Sequence, residues 1–165
     1  MRRLVCAMVW ALAGLAPALA YPDGAPWGHT GASGEGTCQS CHGAQDAVRS
    51  STRIILEGLP EAIEPGARYA LTIRLDAPAE IRGFQIAATD AGGADAGGFA
   101  AVDETVEADG ARARSVSPAS EWMLAWTAPE VAPSSLVFSV AMVAGNDDAS
   151  PFGDVVHLRR FTIGE

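Results

Sequence analysis

The chain has 165 residues, 48% of them hydrophobic, with 11 Lys and Arg against 20 Asp and Glu, for a formal charge of −9 at pH 7. That length sets an expectation of one domain. There is no lysine and, after the N-terminal Arg2-Arg3, no basic stretch beyond Arg159-Arg160, so nucleic acid and anionic membrane surfaces are poor partners.

Residues 1–20 have the layout of an export signal. Arg2 and Arg3 give a positive start, Leu4 to Leu15 an apolar run, and Ala18-Leu19-Ala20 a small-x-small cleavage site, which would leave Tyr21 as the mature N-terminus. The run is shorter than the about 20 residues a membrane span needs. An uncleaved N-terminal anchor is the alternative. The rest of a twin-arginine pattern is missing, so export of an unfolded chain is expected. Cys6 would leave with the signal, and Cys38 and Cys41 would be the only mature cysteines. Losing Arg2 and Arg3 leaves 9 Arg against 20 acidic residues, a charge of −11. Nothing after residue 20 resembles a membrane span, so a periplasmic or secreted protein without stable membrane insertion is expected.

Residues 21–50, "YPDGAPWGHTGASGEGTCQSCHGAQDAVRS", are rich in Gly, Pro, Ser and Thr. Their only periodic feature is a short possible helical turn around Cys38 to Val48. Such an arm cannot build its own core, so it must lie on something else or be organised by something it binds.

From Ser51 to Glu165 the texture changes to short β-rich runs: "TRIILEGL", "RYALTIRL", "IRGFQIAATD", "GGFAAVDE", "ARARSVS", "EWMLAWTAP", "SLVFSVAMVAG" and "DVVHLRRFTI". Turn signals such as Pro65-Gly66, Gly92-Gly93 and Asp109-Gly110 separate them. Tyr69, Leu71, Ile73 and Leu75 share one strand face, as do Trp122, Leu124 and Trp126 on another, the period-two signature of half-buried strands. Seven or eight antiparallel strands predict an all-β, immunoglobulin-like sandwich. A closed barrel is the structural alternative.

The chemistry sits in Cys38-Gln39-Ser40-Cys41-His42. On a helical turn, positions i, i+3 and i+4 share a face. Cys38 and Cys41 could then form thioethers with one covalent haem c while His42 binds its iron, and export suits this reading because c-type haem is joined outside the cytoplasm. Three alternatives remain. Zinc could take Cys38, Cys41, His42 and a second histidine, but there is no second Cys pair. A redox dithiol lacks its strand–helix setting. A disulfide would close a very short loop and add little stability.

The stretch "APWGHTGASGEGTCQSCHG" resembles the N-terminal part of a family of bacterial exported proteins that place a C-x-x-C-H motif ahead of a reelin-like (Reeler) sandwich, known also as choice-of-anchor proteins. Gly83-Phe84-Gln85-Ile86, Trp126-Thr127-Ala128-Pro129, Val137-Phe138, Ala144-Gly145-Asn146-Asp147 and Gly153-Asp154 are similar to that family in the same order. The resemblance implies a Reeler-type sandwich with a haem c site on its N-terminal arm. The family's C-terminal anchor has no counterpart before Glu165, so surface attachment is not expected.

With His42 proximal, the other side of the iron is open to several ligands. His29 is the first distal candidate, because the Gly-rich segment between them lets the chain fold back. His157 on the last predicted strand is a weaker one. Met142 or Met123 would raise the potential, although both lie in apolar strands where a core methionine is the plain reading. An open site is the remaining case. Trp27 could cover a haem edge. Asp147, Asp148 and Asp154 could bind calcium, although a polar turn suits their irregular spacing better. No Ser–His–Asp arrangement, paired-carboxylate cleft or phosphate loop is visible, so a conventional hydrolase or transferase is not expected.

The expectation is an exported monohaem c-type cytochrome-like protein that transfers one electron, its redox partner unidentified. Strands within about ten residues of the motif exclude the helical class I cytochrome c core. The rivals are a secreted recognition or adhesion module with structural haem or none, and a haem sensor or peroxidase-like enzyme with an open iron site.

Overall fold

Alternation along the strands builds the core. The computed structural model describes residues 24–164, so the export signal expected over residues 1–20 lies outside the described residues. Strands β1 (Ile54–Glu57), β2 (Arg68–Leu75), β7 (Glu121–Thr127) and β4 (Gly98–Ala101) form a four-stranded sheet in the order β1-β2-β7-β4. The second sheet has the order β5-β6-β3-β8-β9, from β5 (Val106–Asp109), β6 (Arg112–Ser115), β3 (Ile81–Asp90), β8 (Ser135–Gly145) and β9 (Val155–Gly164). All pairings between strands are antiparallel. β2 and β7 pair Tyr69 with Trp126, Leu71 with Leu124 and Ile73 with Trp122, so the two faces predicted separately are one continuous inner face. Trp122 meets Phe84 of β3 and Trp126 meets Phe138 of β8, each at 5.0 Å between ring centroids. These aromatic contacts cross between two separate sheets, so the fold is an all-β sandwich and not a closed barrel.

The eight predicted runs become nine strands. The addition is β5, in which Val106 is the only fully buried residue, between the acidic Glu107 and the turn. β9 is bounded as expected and ends the described chain.

β3 and β8 are buried on both faces. Phe84, Ile86 and Ala88 point into the core, yet the intervening Gln85, Ala87 and Thr89 are also buried, as are Ser139 and Ala141 of β8. The cover is the N-terminal arm. Gln85, only 2% exposed, accepts from the His29 backbone N–H at 3.1 Å and donates to the Pro26 carbonyl at 2.6 Å. Arg112 of β6 pairs with Glu35 at 2.6 Å, Arg160 of β9 donates to the Gly31 carbonyl at 2.8 Å, and the Arg114 guanidinium stacks over Trp27 at 4.4 Å. The last stretch of the arm then runs beside β9: Val48 N–H donates to Val156 O and Leu158 N–H to Val48 O, so this edge strand gains a short parallel partner.

Because Gln85 bonds arm groups at a largely covered face, Gln85→Ala should leave the His29 N–H and the Pro26 carbonyl without their protein partner. The expected cost is roughly 2 kcal/mol in urea unfolding, with faster amide exchange over residues 25–36. Wild-type exchange in that segment would show that the arm is held by other contacts.

Candidate functional site

The motif folds as one turn. Thr37 is the N-cap, its hydroxyl accepting from the Gln39 N–H, and Cys38–Ser40 form a 3-10 helix. The Cys41 and His42 N–H groups both donate to the Cys38 carbonyl, at 3.2 and 3.0 Å, so the i, i+3, i+4 arrangement expected of the motif is present. The turn does not continue to Val48. Gly43 packs so closely on the Gln39 carbonyl that a Cβ there would lie 2.8 Å from the oxygen, and the chain leaves the helix. Upstream, Gly31 N–H bonds Gly36 O, Gly36 N–H bonds Gly28 O, and Thr30 bridges Thr37. Glu35 locks this loop by accepting from the Thr30 hydroxyl at 2.5 Å and from Arg112. Burial raises the Glu35 pKa, but the bonds from Thr30 and Arg112 outweigh it and hold the carboxyl below its ordinary range.

His42 faces a carboxylate 112 residues away. Its Nδ1 lies 2.6 Å from Asp154 Oδ2, and Asp154 is 5% exposed. The other oxygen, Oδ1, accepts from the Asn146 N–H at 3.3 Å. With the carboxylate accepting, Nδ1 carries a proton, and it is the neutral form of the ring that keeps a lone pair on Nε2. That is the tautomer a metal-binding imidazole needs, with a carboxylate behind it fixing the ring. Among the described residues nothing bonds Nε2.

The other expected residues are placed as follows. Cys38 and Cys41 are free thiols, half-buried and exposed respectively. Burial pushes the Cys38 thiol up to about 12, and Cys41 adds to the shift. A thiolate at Cys38 is therefore disfavoured, which speaks against a redox dithiol. The Cys38 sulfur lies 3.9 Å from the His29 carbonyl, so the motif and the His29 strand are neighbours. His29 Nδ1 is buried and has no hydrogen-bond partner. It faces Gly36, where a Cβ would stand 3.2 Å from it. His157 shares its strand face with Val155, Phe161 and Ile163 of the core, is 4% exposed, and bonds Ser51 Oγ through Nδ1 at 2.8 Å. That gives it a packing role. Met142 is fully buried in the core. Met123, expected to be buried, is 52% exposed on the outer face of the four-stranded sheet, because Trp122 and Leu124 on either side of it point inward. Trp27 is stacked under Arg114 of β6. Asp148 serves its own turn, accepting from Ser150 N–H and Asn146 Nδ2, while Asp154 is turned to His42. Those three aspartates are thus a polar turn plus a histidine partner. Among the described residues no group of three or more His, Cys, Asp or Glu side chains is set to hold a metal ion, which leaves a closed zinc site without support. No described helix is long and apolar enough to cross a membrane.

The fold has solved relatives. The reeler domain of human F-spondin superposes with a TM-score of 0.56 at 16% identity, covering 72% of this chain and 94% of that domain. A structure of the Reelin-N domain of F-spondin gives 0.55 at 17%, covering 77% and 96%. The fold is a Reeler-type β-sandwich. No family model matches the sequence, and no curated protein sequence is similar to it. More than a quarter of this chain lies outside the region matched to the human reeler domain.

The residues of the arm fit a covalently held haem. Two thiols and an imidazole share one capped turn, the imidazole is bonded through Nδ1 and leaves Nε2 without a described partner, and a buried nitrogen of His29 nearby also lacks one. Asp154 is the member that the sequence did not reveal as part of this site. It was visible only as one of several acidic residues in a turn.

His157 generates a pH prediction. Burial, helped by the charge of Arg53, holds its pKa below the ordinary value of about 6.5. The unfolded chain therefore binds the proton more readily, so stability is full above about pH 6.5 and is lost as the pH falls toward the folded value. Urea midpoints should decline from pH 7 to 5 in the wild type and be flatter in His157→Gln. Parallel curves would remove His157 as the origin.

Proposed function

We propose that this Reeler-type sandwich is an exported one-electron carrier that would hold a single haem c through Cys38 and Cys41, with His42 as a ligand to its iron. The observation that carries the reading is the His42–Asp154 contact, which selects the metal-binding tautomer inside a C-x-x-C-H turn. Covalently held haem iron supplies exchange between ferric and ferrous states. The protein's own part is to cap the turn with Thr37, to fix the His42 ring with Asp154, and to press the arm onto β3 and β8 through Gln85 and Arg112. The unpartnered Nδ1 of His29 supports His29 as the second axial candidate.

A second reading is a secreted recognition or adhesion module in which haem is structural or absent. Its support is the fold: the sandwich matches nearly the full length of the F-spondin domains, and sandwiches of this kind serve many functions.

Production with cytochrome c maturation factors separates a haem-bearing chain from a recognition module without haem. The mature chain should gain the mass of one haem, retained after denaturation; free thiols or a Cys38–Cys41 disulfide would favour the recognition module. In haem-loaded protein, Asp154→Asn removes the carboxylate that makes His42 a stronger donor. The midpoint potential should rise by roughly 60 mV, the one-electron equivalent of a tenfold change. An unchanged potential would reduce Asp154 to a packing residue. The ferric spectrum of His29→Ala should turn high-spin while His157→Ala stays low-spin; a high-spin wild type would instead point to an open iron face.

A further inference from the structure

A cleft of about 590 Å³ lies between the arm and β9. Thr30 and Thr37 line it from the arm, Arg49 and Ser50 from the link to β1, and Arg159 and Arg160 from β9, with no carboxylate in its wall. This is unusual in a chain of charge −9. Three arginines meet acids, Arg74 with Glu57, Arg112 with Glu35 and Asp95, and Arg114 with Glu107, whereas Arg53 and Arg82 are turned to backbone carbonyls. Among the described residues, Arg49, Arg159 and Arg160 form no ion pair. Arg159 is occupied by the Ile54 carbonyl, and Arg160 spends one of its five N–H donors on Gly31 O. Arg49 bonds nothing described. Like charges brought together without acids are destabilising unless an anion joins them, and a guanidinium fork suits a carboxylate. Thr37, which lines the cleft, is also the cap of the turn that begins at Cys38.

We propose that this cleft is a carboxylate site, and that the paired propionates of a haem held on Cys38 and Cys41 are the carboxylates it takes. The source of the carboxylates rests on the haem reading above; the preference of the cleft for a dicarboxylate does not. Arg49 and Arg160 are the residues that meet the charge, with Ser50 as hydroxyl donor.

The test uses the full chain in two forms, haem-loaded and, as Cys38→Ala/Cys41→Ala, haem-free, with glutarate as the probe followed by nuclear magnetic resonance. The haem-free chain should bind glutarate. Arg49→Gln should weaken this at least tenfold and Arg49→Lys restore part of it; since Arg49 makes no hydrogen bond or ion pair among the described residues, neither change should unfold the protein. The haem-loaded chain should take at least tenfold less glutarate. In that form Arg49→Gln should lower the midpoint potential by about 59 mV, a tenfold change for one electron, because removing a positive charge favours the ferric state. If the chain never acquires haem, the haem reading fails and the glutarate titration alone decides the cleft. Equal glutarate binding by both forms overturns the propionate assignment in favour of a free dicarboxylate. No glutarate binding, or binding indifferent to Arg49→Gln, overturns the cleft as a carboxylate site.

Discussion

The two-sided burial of β3 and β8 governs the rest of the molecule. An antiparallel sheet normally leaves one face to water, but here Gln85, Thr89 and Ser139 on the outer face are all buried. Buried polar groups need partners, and an arm rich in glycine and poor in apolar side chains supplies backbone N–H and C=O groups in abundance. The fit is chemical more than hydrophobic. Gln85 bonds both a donor and an acceptor of the arm, using the separate oxygen and nitrogen of its amide. The arm therefore has a fixed position without a core of its own, and everything it carries, including the C-x-x-C-H turn, inherits that position from the sheet.

Electrostatics complete the clamp. Arg112 joins Glu35 of the arm to Asp95 of the β3–β4 loop. Glu35 in turn holds both the N–H and the hydroxyl of Thr30. An exposed ion pair is worth little, but the Glu35 side chain is only 9% exposed, so its loss would leave a guanidinium and two Thr30 donors short of an acceptor. The arm is thus held at its start by Gln85 and Arg114, in its middle by Arg112 and Arg160, and at its end by strand-like bonds between Val48 and β9. The motif lies between the middle and last of these fixings.

Strands were legible where one face is apolar and the other polar. β2 and β7 show that alternation, and turn signals bound β3, β8 and β9. β5 escaped because a single buried valine among acidic residues carries no period. The position of the arm was not legible, although its trace is in the sequence: Gln85, Ala87 and Thr89 are small or polar residues on a face that solvent does not reach. Without a partner in view, "FQIAAT" reads as an ordinary apolar run. The helical turn of the motif was readable from spacing, whereas its end at Gly43 depends on a close backbone approach that composition does not signal. Asp154 was counted with Asp147 and Asp148 because they are near in sequence. Its actual partner is 112 residues distant, and no local pattern reports a contact of that kind.

The same contact orders the chemical alternatives for the motif. A dithiol catalyst needs a sulfur that ionises easily, and the surroundings of Cys38 do the opposite, pushing its thiol up to about 12. A closed zinc site needs four converging ligands, and the side chains near Cys38 and Cys41 do not form such a group among the described residues. What the fold does prepare is the imidazole. It places a nearly buried carboxylate behind His42, satisfies that carboxylate's second oxygen with the Asn146 N–H, and leaves Nε2 as the acceptor nitrogen. Burying Asp154 is costly unless its charge is matched by donors. A carboxylate kept in that place for a ring that is itself a third exposed makes most sense if the orientation and basicity of the ring matter. The fold around the motif therefore prepares the His42 ring more than it prepares the sulfurs of Cys38 and Cys41.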